Sequence, residues 1–114
     1  MDVAGYFFGR YLACGYVCGS LVCLPVPQQD TACRQQLKTF IKPGMREVTT
    51  FCGVCIDSKE LAEHLRENWG MSFTDKRVPP DNTNPEFLRA LLIGFLSHTP
   101  EPLLHHLLTR LSDV

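Results

Sequence analysis

The chain has 114 residues, 45% of them hydrophobic and 20% charged, with eight glycines, eight prolines and six cysteines. That apolar content excludes a wholly disordered chain, and the length excludes a long solenoid or a large two-domain enzyme. Eleven basic against twelve acidic residues give a net charge of −1, with no basic footprint for nucleic acid, so no nucleic-acid partner is expected.

From Val3 to Val26 the only charged residue is Arg10. The uncharged run Tyr11 to Val26 falls short of the ~20 residues of a spanning helix, and Pro25 and Pro27 interrupt its end. The N-terminus has no positive region ahead of its apolar run, as a signal peptide would. The expectation is therefore an intracellular protein, cytoplasmic or nuclear, with reduced thiols and no membrane association. Gly5-x3-Gly9 and Gly15-x3-Gly19 repeat a small-xxx-small spacing that lets backbones approach closely; in a core it eases tight packing. Read as a helix, this region sets Phe7, Tyr11, Cys14, Cys18 and Leu21 on one face, but each glycine costs roughly 1 kcal/mol relative to alanine. Read as strands, Tyr6–Leu12 and Tyr16–Leu24 form a hairpin about Cys14-Gly15, and this reading is preferred.

Asp30 is placed to cap a helix over 30–41, with Cys33, Leu37, Phe40 and Ile41 on one face. Lys42-Pro43-Gly44 ends it. Arg46 to Ile56 is β-branched and alternating, so it reads as one strand with Val48, Cys52, Val54 and Ile56 along a face. Asp57 and Glu60 form a capping-box-like start for a helix over 58–69, striped by Leu61, Leu65 and Trp69 and closed by Gly70. Residues 71–83 are loop. Asn84 caps a helix over 85–96 with Pro85 at its first position, apolar nearly all round. Thr99 and Pro100 begin a last helix, 100–112, whose stripe is Leu104, Leu107, Leu108 and Leu111.

These elements make an α+β protein, one domain over 1–114: a small N-terminal sheet with helices 30–41 and 58–69, the 71–83 loop, and a helical αα-hairpin over 84–114. The alternative is an all-α six-helix bundle, if both strand regions are helical.

Leu88-x-x-Leu91-Leu92 and Leu104-x-x-Leu107-Leu108 match L-x-x-L-L, a spacing that sets leucines on one helical face for a partner's groove, although a core helix gives it too. With Leu111, these leucines are the candidate partner-binding residues. No G-x-S-x-G, H-E-x-x-H, P-loop or G-x-G-x-x-G is present, so no catalysis is expected. The function expected is protein–protein interaction or regulation through the leucine-rich C-terminal helices, with a protein partner or a second copy.

The alternative centres on Cys52-Gly53-Val54-Cys55. With His64, these thiols are candidate zinc ligands, zinc being the one cofactor considered. The same C-x-x-C, following the Ser20–Leu24, Asp30 and Arg46 segments, resembles the thioredoxin-like redox motif, which implies a dithiol at a helix start.

Overall fold

The computed structural model describes residues 2–50, 53–71 and 74–97. The chain is an α+β protein, with helices α1 (Val3–Cys14), α2 (Thr31–Lys38), α3 (Lys59–His64) and α4 (Pro85–Leu96). The strands are β1 (Tyr16–Cys18), β2 (Leu21–Pro25), β3 (Arg46–Thr50) and β4 (Gly53–Asp57), and a π-helical turn, Leu65–Trp69, continues α3. The sheet order is β1-β2-β4-β3, antiparallel throughout. That sheet sets aside the six-helix bundle. The 100–112 half of the expected hairpin lies outside the described residues.

Three expectations need correction. Residues 3–14 are helix, not the first strand of a hairpin. Asp2 starts α1 by accepting the Gly5 N–H at 3.0 Å. The hairpin that does form joins β1 to β2 through Gly19-Ser20, with Cys18 opposite Leu21. Gly19 stands at φ +60, as a two-residue hairpin loop demands of its first central residue. Arg46–Ile56 is not one strand but a hairpin, β3 pairing β4 with Thr50 opposite Gly53. Folding back lets each half supply the other's backbone hydrogen bonds, which a lone long strand leaves open. Finally, α2 stops at Lys38, and Phe40 and Ile41 continue as tight turns to Leu37 and Lys38 because Pro43 is close.

The C-terminal starts follow the sequence closely. Ser58, rather than Asp57, caps α3 by accepting from Leu61 N–H, while the Asp57 carboxylate takes the Ser20 hydroxyl at 2.7 Å. Asn84 caps α4 through Glu86 and Phe87 N–H, with Pro85 in the first turn.

One sheet face is buried. Val22, Leu24, Val54 and Ile56 are fully covered, and with Phe7, Tyr11, Leu37, Leu65 and Trp69 they form the core. Phe7 stacks on Phe40 at 4.0 Å and Phe8 on Trp69 at 4.5 Å. The run Tyr11–Val26 thus contributes to the core through separate elements, and no helix among the described residues is long and apolar enough to cross a membrane.

Helices α1 and α4 touch at backbone level. A Cβ on Gly9 would overlap the Leu91 carbonyl, and one on Gly94 the Tyr6 carbonyl. On Gly5 it would lie 2.5 Å from the Phe87 oxygen. The Gly5-x3-Gly9 spacing serves this crossing, with Ala90 and Gly94 opposite it.

The end of α1 is tied down from the long loop. Lys76 Nζ donates to the Tyr11 carbonyl at 2.8 Å and to the Gly15 carbonyl at 2.5 Å, and sits 4.7 Å from the Tyr11 ring centre. It thereby satisfies terminal helix carbonyls where a cation is favoured. Replacing it in Lys76→Met should lower unfolding stability by about 1–2 kcal/mol. A urea titration checks this, and an unchanged midpoint would show that the contact contributes nothing.

Candidate functional site

The glycine crossing decides which side of α4 remains free. Ala90, Leu91 and Gly94 are buried, Phe87 is half-buried against the core, and Leu96 at the helix end is also covered. The opposite side carries Leu88, Leu92, Ile93 and Phe95, between 37% and 45% exposed. Leu88, Leu92 and Phe95 follow i, i+4, i+7, so they form one stripe along the helix. Beside it lies a groove of about 430 Å3 lined by Asp2, Glu86, Arg89, Ala90 and Ile93. An apolar stripe edged by charged groups is the arrangement of a protein-contact patch, whereas scattered surface leucines would not need explaining.

The sequence candidates divide accordingly. Leu88 and Leu92 stand on the free stripe. Leu91, the middle leucine of the same motif, is buried at 8% exposure and belongs to the core. Leu104, Leu107, Leu108 and Leu111 lie outside the described residues. Ile93 and Phe95 were missed, because the apolar content all round this helix hid which side would be covered; only the Ala90-x3-Gly94 spacing signals it.

Of the metal candidates, Cys52 lies outside the described residues. Cys55 is in the middle of β4, opposite Cys23 on β2 and Val48 on β3. His64, at the end of α3, spends its ring on its own helix and the following turn. The Trp69 indole N–H donates to Nε2 at 3.3 Å, and the Asn68 amide lies 3.3 Å from Nδ1. An indole only donates, so Nε2 is the acceptor of that contact. Among the described residues no group of three histidine, cysteine or acidic side chains gathers as a metal site. The C-x-x-C does not open a helix, since Cys55 is separated from α3 by the end of β4. β2 and β3 run in the same direction, each being antiparallel to β4, and α2 connects them. But β4 lies between the two, so the βαβ unit is split and Cys55 stands on its central strand rather than at a helix start.

A second cleft, of about 140 Å3, opens over Phe8, Trp69 and Phe87, with His64, Asn68 and Asp81 at its rim. Small-molecule pockets usually measure ~300–1,000 Å3, so this cleft is a packing seam between the loop and the aromatic cluster.

In the sequence Arg10 stands out only as a charge interrupting an apolar run. In α1 it is 2% exposed. Its guanidinium donates to Ser97 Oγ at 3.1 Å and to the Pro25 carbonyl at 3.2 Å, and Nε has no hydrogen-bond partner among the described residues. The Ser97 hydroxyl in turn donates to the Gly94 carbonyl at 2.7 Å. Arg10 therefore fastens the end of α4 and the end of β2 to α1, and its task is structural.

No family model, no curated protein and no solved structure matches this chain. Its function has to be argued from its own geometry.

Proposed function

We propose that this is a small non-catalytic interaction protein that associates through the outward face of α4, in an intracellular setting, cytoplasmic or nuclear. The observation that carries the reading is the stripe Leu88, Leu92 and Phe95 with Ile93 beside it, all of them more than a third exposed. Fully burying a side chain of this kind contributes roughly 1.5–3 kcal/mol, so covering what remains exposed on four of them supplies several kcal/mol to an association. The backbone-close crossing beneath holds the helix rigid, so little ordering has to accompany docking. The free thiols of Cys14, Cys18, Cys23, Cys33 and Cys55 support a reducing compartment.

A second copy of the chain is the occupant that fits the stripe most simply. A row at i, i+4, i+7 interdigitates with itself across a two-fold axis, which is the commonest symmetry of small oligomers. Sedimentation equilibrium tests it. Wild-type protein is expected to self-associate as concentration rises, and Leu92→Asp with Phe95→Asp is expected to stay monomeric with an unchanged circular dichroism spectrum. Wild-type protein that remains monomeric at millimolar concentration would overturn self-association. Unfolding of the double variant would assign the stripe to the core instead, and the milder Leu88→Lys then repeats the comparison at the helix's other end.

A further inference from the structure

The sheet face turned away from the core carries chemistry that the α4 reading does not use, centred on two thiols that are themselves buried, at 8% and 9% exposure. Strand alternation turns Val22, Leu24, Val54 and Ile56 into the core, so Cys23 and Cys55 point to the other side. There they form the middle of a row across all four strands: Tyr16, Cys23, Cys55 and Val48. Cys18, on β1, shares this face.

The register places the two thiols at the closest kind of site. Ser58 N–H donates to the Ser20 carbonyl in the same β2–β4 ladder. Hydrogen-bonded pairs recur every second residue, so Val22/Ile56 and Leu24/Val54 are hydrogen-bonded pairs, and Cys23/Cys55 is a non-hydrogen-bonded one. Pro25 opposite Gly53 agrees, because a residue without an N–H suits only the non-hydrogen-bonded parity there. Facing Cα atoms at such sites stand ~4.5 Å apart, inside the ~4.4–6.8 Å that a disulfide spans and near its short end. The two thiols are close enough for each to act on the other's ionisation.

We propose that Cys23 and Cys55 are a redox couple, a cross-strand dithiol that low-molecular-weight disulfides convert reversibly to a cystine bridging β2 and β4. The thiolate of one cysteine attacks the oxidant's disulfide, forming a mixed disulfide and releasing one thiol. The second cysteine attacks the protein sulfur of that bond and expels the other thiol. Two electrons and two protons pass to the oxidant, which leaves as two thiols, and one S–S bond is gained by the protein. Burial, helped by the neighbouring Cys55 thiol, holds Cys23 up to about 11. At neutral pH it is therefore stored as thiol, and exchange is slow. Thiol–disulfide exchange runs in either direction with the ratio of thiol to disulfide in the medium, so the couple is proposed as reversible rather than as a permanent staple. It would use Cys55 without Cys52.

The test is equilibration of the full chain in glutathione buffers of graded oxidation, acid quenching, and mass mapping of the cysteine peptides. The expected result is a Cys23–Cys55 cross-link that forms in oxidised buffer, disappears on return to reduced buffer, and persists in Cys18→Ser and Cys52→Ser. Cys23→Ser and Cys55→Ser should each abolish it. A bridge joining Cys55 to Cys52, or Cys23 to Cys18, would overturn the assignment. So would glutathione adducts with no cross-link in folded wild-type protein, its fold confirmed by circular dichroism in the same buffer.

Discussion

Gly9→Ala should destabilise this protein by about 2–3 kcal/mol, although the same change at an open helical site stabilises by roughly 1 kcal/mol. The sign is therefore diagnostic. A Cβ at this position would overlap the Leu91 carbonyl and approach the Phe95 nitrogen to 2.9 Å. Those are backbone atoms of α4, which cannot turn aside as a side chain would. Relief requires the two helices to separate along the whole crossing, loosening Tyr6, Ala90 and Gly94 together. For a domain of this size, 1 kcal/mol moves the melting temperature by several degrees, so thermal and urea midpoints should both fall clearly. A variant as stable as the parent would mean that α1 and α4 do not meet at backbone distance. The outward face assigned to α4 would then lose its structural basis.

The second large effect is expected in alkali. Tyr6 and Tyr11 are buried, and burial is the first cause holding both phenols up to about 12. The Tyr6 hydroxyl donates to Cys33 Sγ at 3.2 Å, and the Tyr11 hydroxyl to the Gly70 carbonyl at 2.5 Å. An unfolded tyrosine ionises near 10. These phenols ionise later in the fold, so the unfolded state releases their protons first. Their stabilising contribution is complete below pH 10 and is lost as pH rises from 10 towards 12. Each is worth on the order of 2 kcal/mol over that interval. Lys76 acts in the opposite sense. Burial lowers its value below 10.5, which favours folding as pH passes through that lower window. Two phenols against one amine leave the fold alkali-labile. Tyrosinate absorbance measured beside circular dichroism checks this: the signal of Tyr6 and Tyr11 should appear only with unfolding. Smooth ionisation near pH 10 with the fold intact would refute the buried placement.

What the sequence disclosed, and what it hid, follows the range of the interactions involved. Asp30 as a cap, Gly70 as a helix end, and Asn84 with Pro85 at the start of α4 are decided within a turn or two of chain, and all were legible. The Arg46–Ile56 run has strand character throughout, so alternation gave no sign that it divides into β3 and β4. The N-terminal helix was misread for a sharper reason. Gly5 and Gly9 weaken a helix taken alone, and that local cost favoured strands. What overrides it is Gly94, some eighty residues on, which accepts α1 at a distance only glycine permits. The same long range hid Cys23 as the neighbour of Cys55, since C-x-x-C spacing points to Cys52. It also hid Arg10 as the fastener of Ser97. For the candidate interface, two of the three leucines in the first motif were legible, but not the side of α4 that Ile93 and Phe95 share.

The α1–α4 crossing has a consequence for biosynthesis. Arg10 and Ser97 are 87 positions apart, so α1 leaves a ribosome well before α4 and meets it only after every other described element has been made. Until then the Gly5 and Gly9 side of α1 has no covering helix, Phe8 lacks its Phe87 neighbour, and the glycines weaken the helix taken alone. Such high contact order slows folding, because a large loop must close before the contact rewards it. The sheet can form earlier, since its two hairpins are local and need only each other. Synthesis thus leaves an interval in which a paired sheet carries a helix whose glycine side is uncovered. During that interval the nascent chain depends most on whatever shields apolar surface in the cell.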